Sequence, residues 1–447
     1  MPKFKVTALQ QDTGILKTLY YSTEDSSLTN EIGQPVGPER YKDVKRTIPQ
    51  VMPSGKSDIK TLKIQLGLSC NYECEYCSQR FVPRADETNP SNVEPFLASL
   101  DQWVKSPPEV IEFWGGEPFV YIKTLKPLAE ALRKKFPTTL LSIITNGSLL
   151  NAEINDWLNE LGFKVGISHD GPGQFVRGPD PLQDPEKREA ILGLYKLLSP
   201  QKRISFNAMM NRHNTSRAEV QKFFIELTGD ENVPVGEGGI VDSYDDGGVA
   251  NSLMSGDFMP YRNRAFHEIR TGQAKNFVGI GGKITGFVNS ILAARPITAV
   301  GQKCSMDRND NIAVDLHGNV LTCQNVSPVS AAPNGQSHKI GHVSDLESVE
   351  LKSSTHWSNR SECPSCPMIH ICSGSCMFLD GPLWDVSCDN AFSDAVPVFA
   401  AGIEYLTGFV PIHIEGPHRE SRKDIFGLIN GTPASNKKPF PIPVVAG

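Results

Sequence analysis

Cys70, Cys74 and Cys77 lie in the segment Leu66-Gly67-Leu68-Ser69-Cys70-Asn71-Tyr72-Glu73-Cys74-Glu75-Tyr76-Cys77, a C-x3-C-x2-C spacing. Thiolates are soft ligands that suit iron–sulfur clusters, and a short loop can wrap three of them around one cubane. Three protein ligands on a four-iron cluster leave one iron open to a substrate or cosubstrate. Seven further cysteines follow: Cys304, then Cys323 at the end of Gly318-Asn319-Val320-Leu321-Thr322-Cys323, then Cys363, Cys366, Cys372, Cys376 and Cys388. Their order is C…G-x4-C…C-x2-C-x5-C-x3-C…C.

The elements that must position these ligands are legible as apolar runs. Strands are expected over 62–68, 110–114, 140–144 and 164–167, with two more near 204–209 and 235–241. Helical patterns such as 125–136 and 154–161 lie between them. The cysteine loop follows the first strand. Gly115-Gly116-Glu117-Pro118 ends the second, Thr145-Asn146-Gly147 the third and Ser168-His169-Asp170-Gly171-Pro172 the fourth. Repeated strand–helix units of this kind build an α/β fold, a partial (β/α)6 TIM-like barrel whose chemistry sits at the carboxyl ends of its strands. All of these motifs fall on that one rim.

With Tyr76 just before its third cysteine, the loop resembles that of the radical S-adenosylmethionine (SAM) enzymes, in which SAM chelates the unique iron. Gly115, Gly116, Glu117 and Pro118 match the family's GGEP motif. The resemblance implies that the glycines let the backbone approach the methionine part of SAM and that Glu117 receives its ammonium group. Ser168 and Arg177 resemble the serine and arginine that hold the SAM carboxylate and ribose in peptide-modifying members, and a guanidinium fork suits a carboxylate. Asn146 and Asp170 are candidate ribose contacts, and read equally as turn and cap residues closing strands. The seven later cysteines resemble the SPASM domain, a C-terminal extension of short hairpins, loops and helices that holds twin auxiliary clusters. Carried over by order, Cys304, Cys323 and Cys376 hold the first auxiliary cluster, and Cys363, Cys366, Cys372 and Cys388 the second. The resemblance thus implies three [4Fe-4S] clusters and SAM as cofactors, and it uses all ten cysteines. The first auxiliary cluster lacks a fourth cysteine; Asp307, His317 and His370 lie near these cysteines in sequence as candidate further donors, and read equally as surface or structural residues.

The implied chemistry is reductive cleavage of SAM to a 5′-deoxyadenosyl radical that abstracts a hydrogen atom, with an electron supplied by a flavodoxin- or ferredoxin-type donor. Auxiliary clusters favour a net oxidation. Sulfatase-maturing members carry an aspartate after the cysteine of G-x4-C, where this chain has Gln324 and then Asn325. A neutral amide cannot take a proton at neutral pH. The expected enzyme is therefore a radical SAM oxidoreductase, a peptide maturase that crosslinks side chains of a ribosomally made peptide through C–C, C–O or thioether bonds. The alternatives are a sulfatase-maturing (formylglycine-generating) or other protein-residue oxidase, small-molecule chemistry, and a non-enzymatic metal-binding module. A zinc ribbon would leave Cys304 and Cys323 without a role.

The expected organisation is an N-terminal extension with a strand hairpin over 1–60, the barrel over 61–295, the auxiliary-cluster domain over 300–392, and a helix (397–409) with a tail over 393–447. A connector is expected over 48–57 and an extended tail over 437–443. No clear amphipathic helix marks a leader-recognition element in the extension, which leaves peptide recognition to a separate leader-binding protein or to the SPASM surface. Net charge −6 argues against a nucleic-acid partner. The start Met-Pro-Lys-Phe-Lys shows no signal-peptide core, and no apolar run is long enough to span a membrane. A cytoplasmic, reduced, oxygen-sensitive protein is expected. The acidic loop Asp242-Ser243-Tyr244-Asp245-Asp246-Gly247-Gly248 falls on the active rim, as a solvated loop or a selector of basic side chains.

Overall fold

The computed structural model describes residues 3–37, 54–79, 88–331, 335, 337–351 and 355–426. The tail over 437–443 and residues 48–53 of the connector lie outside them. An N-terminal hairpin, β1 (Lys3–Gln10) and β2 (Ile15–Ser22), is extended by β3 (Leu28–Thr29). The barrel strands are β4 (Thr61–Gln65), β5 (Val110–Trp114), β6 (Leu140–Thr145), β7 (Lys164–Ser168), β8 (Ile204–Met210) and β9 (Val235–Ile240). They pair in parallel, each with its successor. Helices α1 (Val93–Trp103), α2 (Ile122–Lys135), α3 (Ala152–Glu160), α4 (Pro185–Leu198) and α5 (Arg217–Thr228) fill the crossovers. The expected partial barrel is borne out.

The sheet does not end with the barrel. β10 (Asn311–Asp315) pairs in parallel with β4, from Asn311↔Thr61 to Asp315↔Gln65, and then continues antiparallel through β11 (Asn319–Leu321) and β12 (Lys339–His342). All five residues of β10 are buried. The cysteine-bearing C-terminal region is thus welded to the strand that leads into the Cys70 loop. After β9 come α6 (Asp246–Asn251), α7 (Phe258–Thr271) and α8 (Val278–Leu292), and later the short α9 (Ile369–Cys372).

The helix expected over 397–409 instead begins far earlier, as α10 (Gly381–Thr407), and carries Cys388. Pro397 reads in sequence as a helix start, because proline lacks the N–H a helix interior needs. Here the apolar residues around it, Val396, Val398, Phe399 and Ala400, are buried at 2% exposure or less, and that packing carries the helix through the proline. Asp394 on α10 accepts bonds from Arg217 Nη2 (2.6 Å), Lys283 Nζ (2.9 Å) and Tyr261 Oη (2.9 Å), tying α5, α8 and α7 to it. The last strand among the described residues, β13 (Val410–Glu415), pairs with β1 in one four-stranded sheet of order β13-β1-β2-β3.

Lys56 secures the turn between Cys304 and β10. Its buried ammonium donates to the carbonyls of Met306 (2.9 Å), Arg308 (2.5 Å) and Asn311 (2.8 Å), while burial pushes its pKa down to about 8. Lys56→Met leaves these acceptors without their donor, a loss worth about 1–3 kcal/mol. Urea unfolding of this variant should show that deficit against wild type; equal midpoints would refute the role.

Candidate active site

The cysteine loop is fixed by backbone bonds that continue past the end of the β4–β5 pairing. Leu66 N donates to Trp114 O (2.7 Å), Gly116 N to Gly67 O (3.1 Å) and Glu117 N to Ser69 O (3.0 Å). A Cβ on Gly116 would lie 2.3 Å from the Ser69 carbonyl oxygen. The glycine is therefore demanded by the cysteine loop's own backbone. Tyr121, a residue the sequence pattern did not flag, accepts from Ser69 N (2.7 Å). Asn71 in the loop donates to Ser148 Oγ (2.8 Å) and accepts from Asn146 Nδ2 (2.9 Å). Asn146 thus acts as the turn residue that buttresses the loop.

Cys70, Cys74 and Cys77 face a cavity of about 330 Å³. Of the expected SAM contacts, Tyr76, Gly115, Gly116, Glu117, Asn146, Ser168 and Arg177 also line it. Asp170 is not among the lining residues. Its carboxylate is fully buried, accepts from Tyr76 Oη, from Arg177 Nη1 (3.3 Å) and from Met209 N (2.9 Å), and so orients Tyr76 and Arg177. Arg177 Nη1 also donates to Tyr76 Oη (2.9 Å). Burial works against the guanidinium charge, but Tyr76, Asp170 and Cys74 more than offset it and hold Arg177 above the ordinary arginine range.

Glu117 is 1% exposed. Its Oε1 accepts from Phe119 N (3.1 Å) and Thr145 Oγ1 (2.8 Å), and its Oε2 from Asn146 N (2.7 Å). Burial raises its pKa, and these donors pull it part of the way back. Arg177 Nε is buried with no partner among the described residues. One wall thus offers a carboxylate and another an unused guanidinium N–H, beside three thiols. That donor set fits a zwitterionic amino-acid group next to a cluster.

The remaining thiols fall into two sets. Cys323 and Cys376 line a second cavity of about 220 Å³, which shares Cys77, Ser78, Tyr244 and Asn325 with the first. Cys323 feels Cys304 and Cys376 as neighbouring charges. Cys363, Cys366, Cys372 and Cys388 line one small cavity together with Trp384 and Phe392, and Cys363 feels the other three. Burial, with neighbouring thiols adding to it, pushes Cys323 and Cys366 up to about 12, although Arg422 pulls Cys366 part of the way back. Iron would reverse this, since it binds thiolates and displaces the protons. Polar hydrogens already point at sulfur: Asn325 N to Cys323 (3.4 Å), Tyr244 Oη to Cys376 (3.2 Å) and Arg422 Nη2 to Cys388 (3.3 Å).

Two of the further donors for the first auxiliary set are placed elsewhere. His317 is exposed, and His370 Nε2 meets Thr23 O (2.8 Å), which ties α9 to the N-terminal hairpin. Asp307 stays close enough to raise the Cys304 pKa, behind the larger effect of burial, while its Oδ2 accepts from Gln302 N (3.0 Å). Gln324 lines neither cavity; its carbonyl accepts from Gln65 Nε2 (2.6 Å) on β4. In the acidic loop, Asp242 Oδ1 accepts from Ser375 Oγ (3.0 Å) and Asp245 caps α6 through Gly248 N (2.8 Å). Asp242 also lines the first cavity.

Residues 64–221 match the Radical SAM superfamily. That segment of the chain is a radical SAM domain. Among its curated relatives, the radical SAM cyclopropyl synthase TigE of Paramaledivibacter caminithermalis is 22% identical over 347 residues, 71% of this chain and 68% of that one. The serine-type anaerobic sulfatase-maturating enzyme of Bacteroides thetaiotaomicron is 33% identical over 119 residues, 25% of this chain and 29% of that one. The fold is also that of native anSMEcpe with bound AdoMet and the Cp18Cys peptide, at TM-score 0.55 and 19% identity, covering 77% of this chain and 99% of that structure. The shared fold thus reaches beyond the matched barrel segment.

Replacing Glu117 with Ala should weaken SAM roughly ten- to hundred-fold, since a charge-assisted bond is worth about 1.5–3 kcal/mol. Anaerobic equilibrium binding of SAM to the reconstituted enzyme checks this, and an unchanged Kd removes Glu117 from the site.

Proposed function

We propose that this enzyme is a radical SAM/SPASM peptide maturase that oxidatively crosslinks side chains of a ribosomally made peptide. The observation that carries the reading is the wall shared by the two cavities: Tyr244 and Asn325 stand between the Cys70/Cys74/Cys77 loop and the Cys323/Cys376 pair. A substrate group in that space would lie between a site of radical generation and an electron acceptor. The match to a cyclopropyl synthase along 71% of the chain supports a bond-forming oxidation.

In this reading Cys70, Cys74 and Cys77 hold the SAM cluster, Cys304, Cys323 and Cys376 the first auxiliary cluster, and the remaining four cysteines the second. When bound, the SAM cluster supplies the electron that cleaves SAM to the 5′-deoxyadenosyl radical. The protein's own residues do the positioning. Glu117 takes the ammonium of SAM, Arg177 with Ser168 takes its carboxylate and ribose, and Asp170 holds Arg177 and Tyr76 in place. A flavodoxin- or ferredoxin-type protein supplies electrons, and a separate protein or the SPASM surface reads any leader peptide. Ten unpaired thiols suit the reduced cytoplasm. No described helix is long and apolar enough to cross a membrane.

Sulfatase maturation is the second reading, favoured by the 33% identity to a serine-type enzyme over 119 residues. Against it stands the neutral amide at Gln324, which lines neither cavity and cannot serve as a base. Incubating the enzyme, SAM and reductant with a precursor peptide encoded beside its gene should remove two hydrogens from the peptide and leave a crosslink visible by tandem mass spectrometry. Formylglycine on a sulfatase peptide instead would transfer the assignment to the second reading. Cys70→Ala/Cys74→Ala/Cys77→Ala should abolish 5′-deoxyadenosine while auxiliary iron remains; normal SAM cleavage by that variant would refute the ligand assignment.

A further inference from the structure

The two auxiliary thiol sets each receive one side-chain hydrogen bond from a residue that belongs to neither ligand set. Tyr244, in the loop between β9 and α6, donates its phenol to Cys376 Sγ at 3.2 Å, across 132 positions of sequence. Arg422, after β13, donates Nη2 to Cys388 Sγ at 3.3 Å. Arg422 is 4% exposed, and its Nη2 also donates to Asp389 Oδ1 at 2.5 Å, which fixes the guanidinium against the thiol. The two donors differ in kind: one is a neutral hydroxyl, the other a buried cation.

We propose that Tyr244 and Arg422 are positioning residues that raise the reduction potentials of the two auxiliary clusters separately, Tyr244 acting on the cluster held by Cys304, Cys323 and Cys376, and Arg422 on the cluster held by Cys363, Cys366, Cys372 and Cys388. Gaining one electron makes a thiolate-bound cluster more negative. A hydrogen bond or positive charge at a ligand sulfur therefore stabilises the reduced form more than the oxidised form, and the potential rises. Tyr244 also lines both the SAM-side cavity and the cavity beside Cys323 and Cys376. Its hydroxyl is thus committed to sulfur where the substrate space meets the cluster, which makes that cluster the better electron acceptor of whatever lies beside it. The inference rests on the ligand sets of the proposed function.

The test is a potentiometric titration with dithionite as electron donor, followed by electron paramagnetic resonance, on the full chain carrying Cys70→Ala, Cys74→Ala and Cys77→Ala so that only auxiliary signals remain. Cys323→Ala and Cys388→Ala chains identify which signal is which. Tyr244→Phe should make reduction of the first cluster about tenfold less favourable, a shift of about 59 mV to more negative potential for one electron, and leave the second unmoved. Arg422→Met should do the reverse, by at least as much, and Arg422→Lys should recover part of the loss. Incorporating 3,5-difluorotyrosine at position 244, similar in shape but a stronger donor, should raise the first potential, and this keeps the test decisive if the Phe variant loses iron. Full iron content with neither potential moved, or with both moving together in every variant, overturns the tuning alone. A chain that assembles no auxiliary cluster overturns the ligand sets and the proposal with them.

Discussion

The candidate active site hangs on the backbone contact between the cysteine loop and the Gly115–Glu117 segment. Three main-chain bonds, Leu66 to Trp114, Gly116 to Gly67 and Glu117 to Ser69, carry the parallel pairing of β4 and β5 beyond the sheet. The contact is so close that only a glycine fits at position 116. A single register thereby fixes both the three thiols and the carboxylate of Glu117, so the two candidate binding groups are placed by one rigid element. Tyr121 and Asn71 complete the brace from the side. Precise placement matters because radical chemistry is governed by where the cofactor's reactive atom is held and by what is excluded around it.

The opposite wall is organised by charge. Asp170 is fully buried, and a buried carboxylate is costly unless paired and bonded. It meets that condition through Arg177, Tyr76 and the Met209 amide. Arg177 keeps its charge and an unused Nε in exchange. The arrangement holds a cation ready for an anion at a site where an unsupported arginine would turn outward to water.

The cysteine-rich region is an extension of the barrel sheet. Because β10 adds beside β4, the segment bearing Cys323 is pinned to the barrel by Gln65, whose amide holds the Gln324 and Val326 carbonyls. A direct bond from Gln79 to Asn325 (3.0 Å) then joins the end of the cysteine loop to the residue two beyond Cys323. The relation between the two thiol sites is therefore set by sheet geometry and a few side-chain bonds. The four-thiol set lies farther along, enclosed by α9, α10 and the guanidinium of Arg422.

The sequence by itself determined the barrel and the grouping of the motifs on its rim. Cysteine spacing, the GGEP run and the strand–helix alternation are local, and locality survives in one dimension; the six parallel strands appear where the apolar runs lie, within a few residues at their ends. It also named Glu117 and Arg177, because each sits in a short motif. What only the tertiary structure decided are the contacts between residues far apart in the chain: Lys56 with the turn around Met306, 250 positions away, Tyr244 with Cys376, and Arg422 with Cys388. A lysine, tyrosine or arginine carries no periodicity that says which distant group it will meet. The same reason hid the role of Asp170, which reads as a turn residue in sequence and becomes the support of Arg177 once β7 and β8 are side by side. The part of α10 before Pro397 lies outside the expected helix for a related cause: Pro397 is a local stop signal, and only packing against α7 and α8 outweighs it.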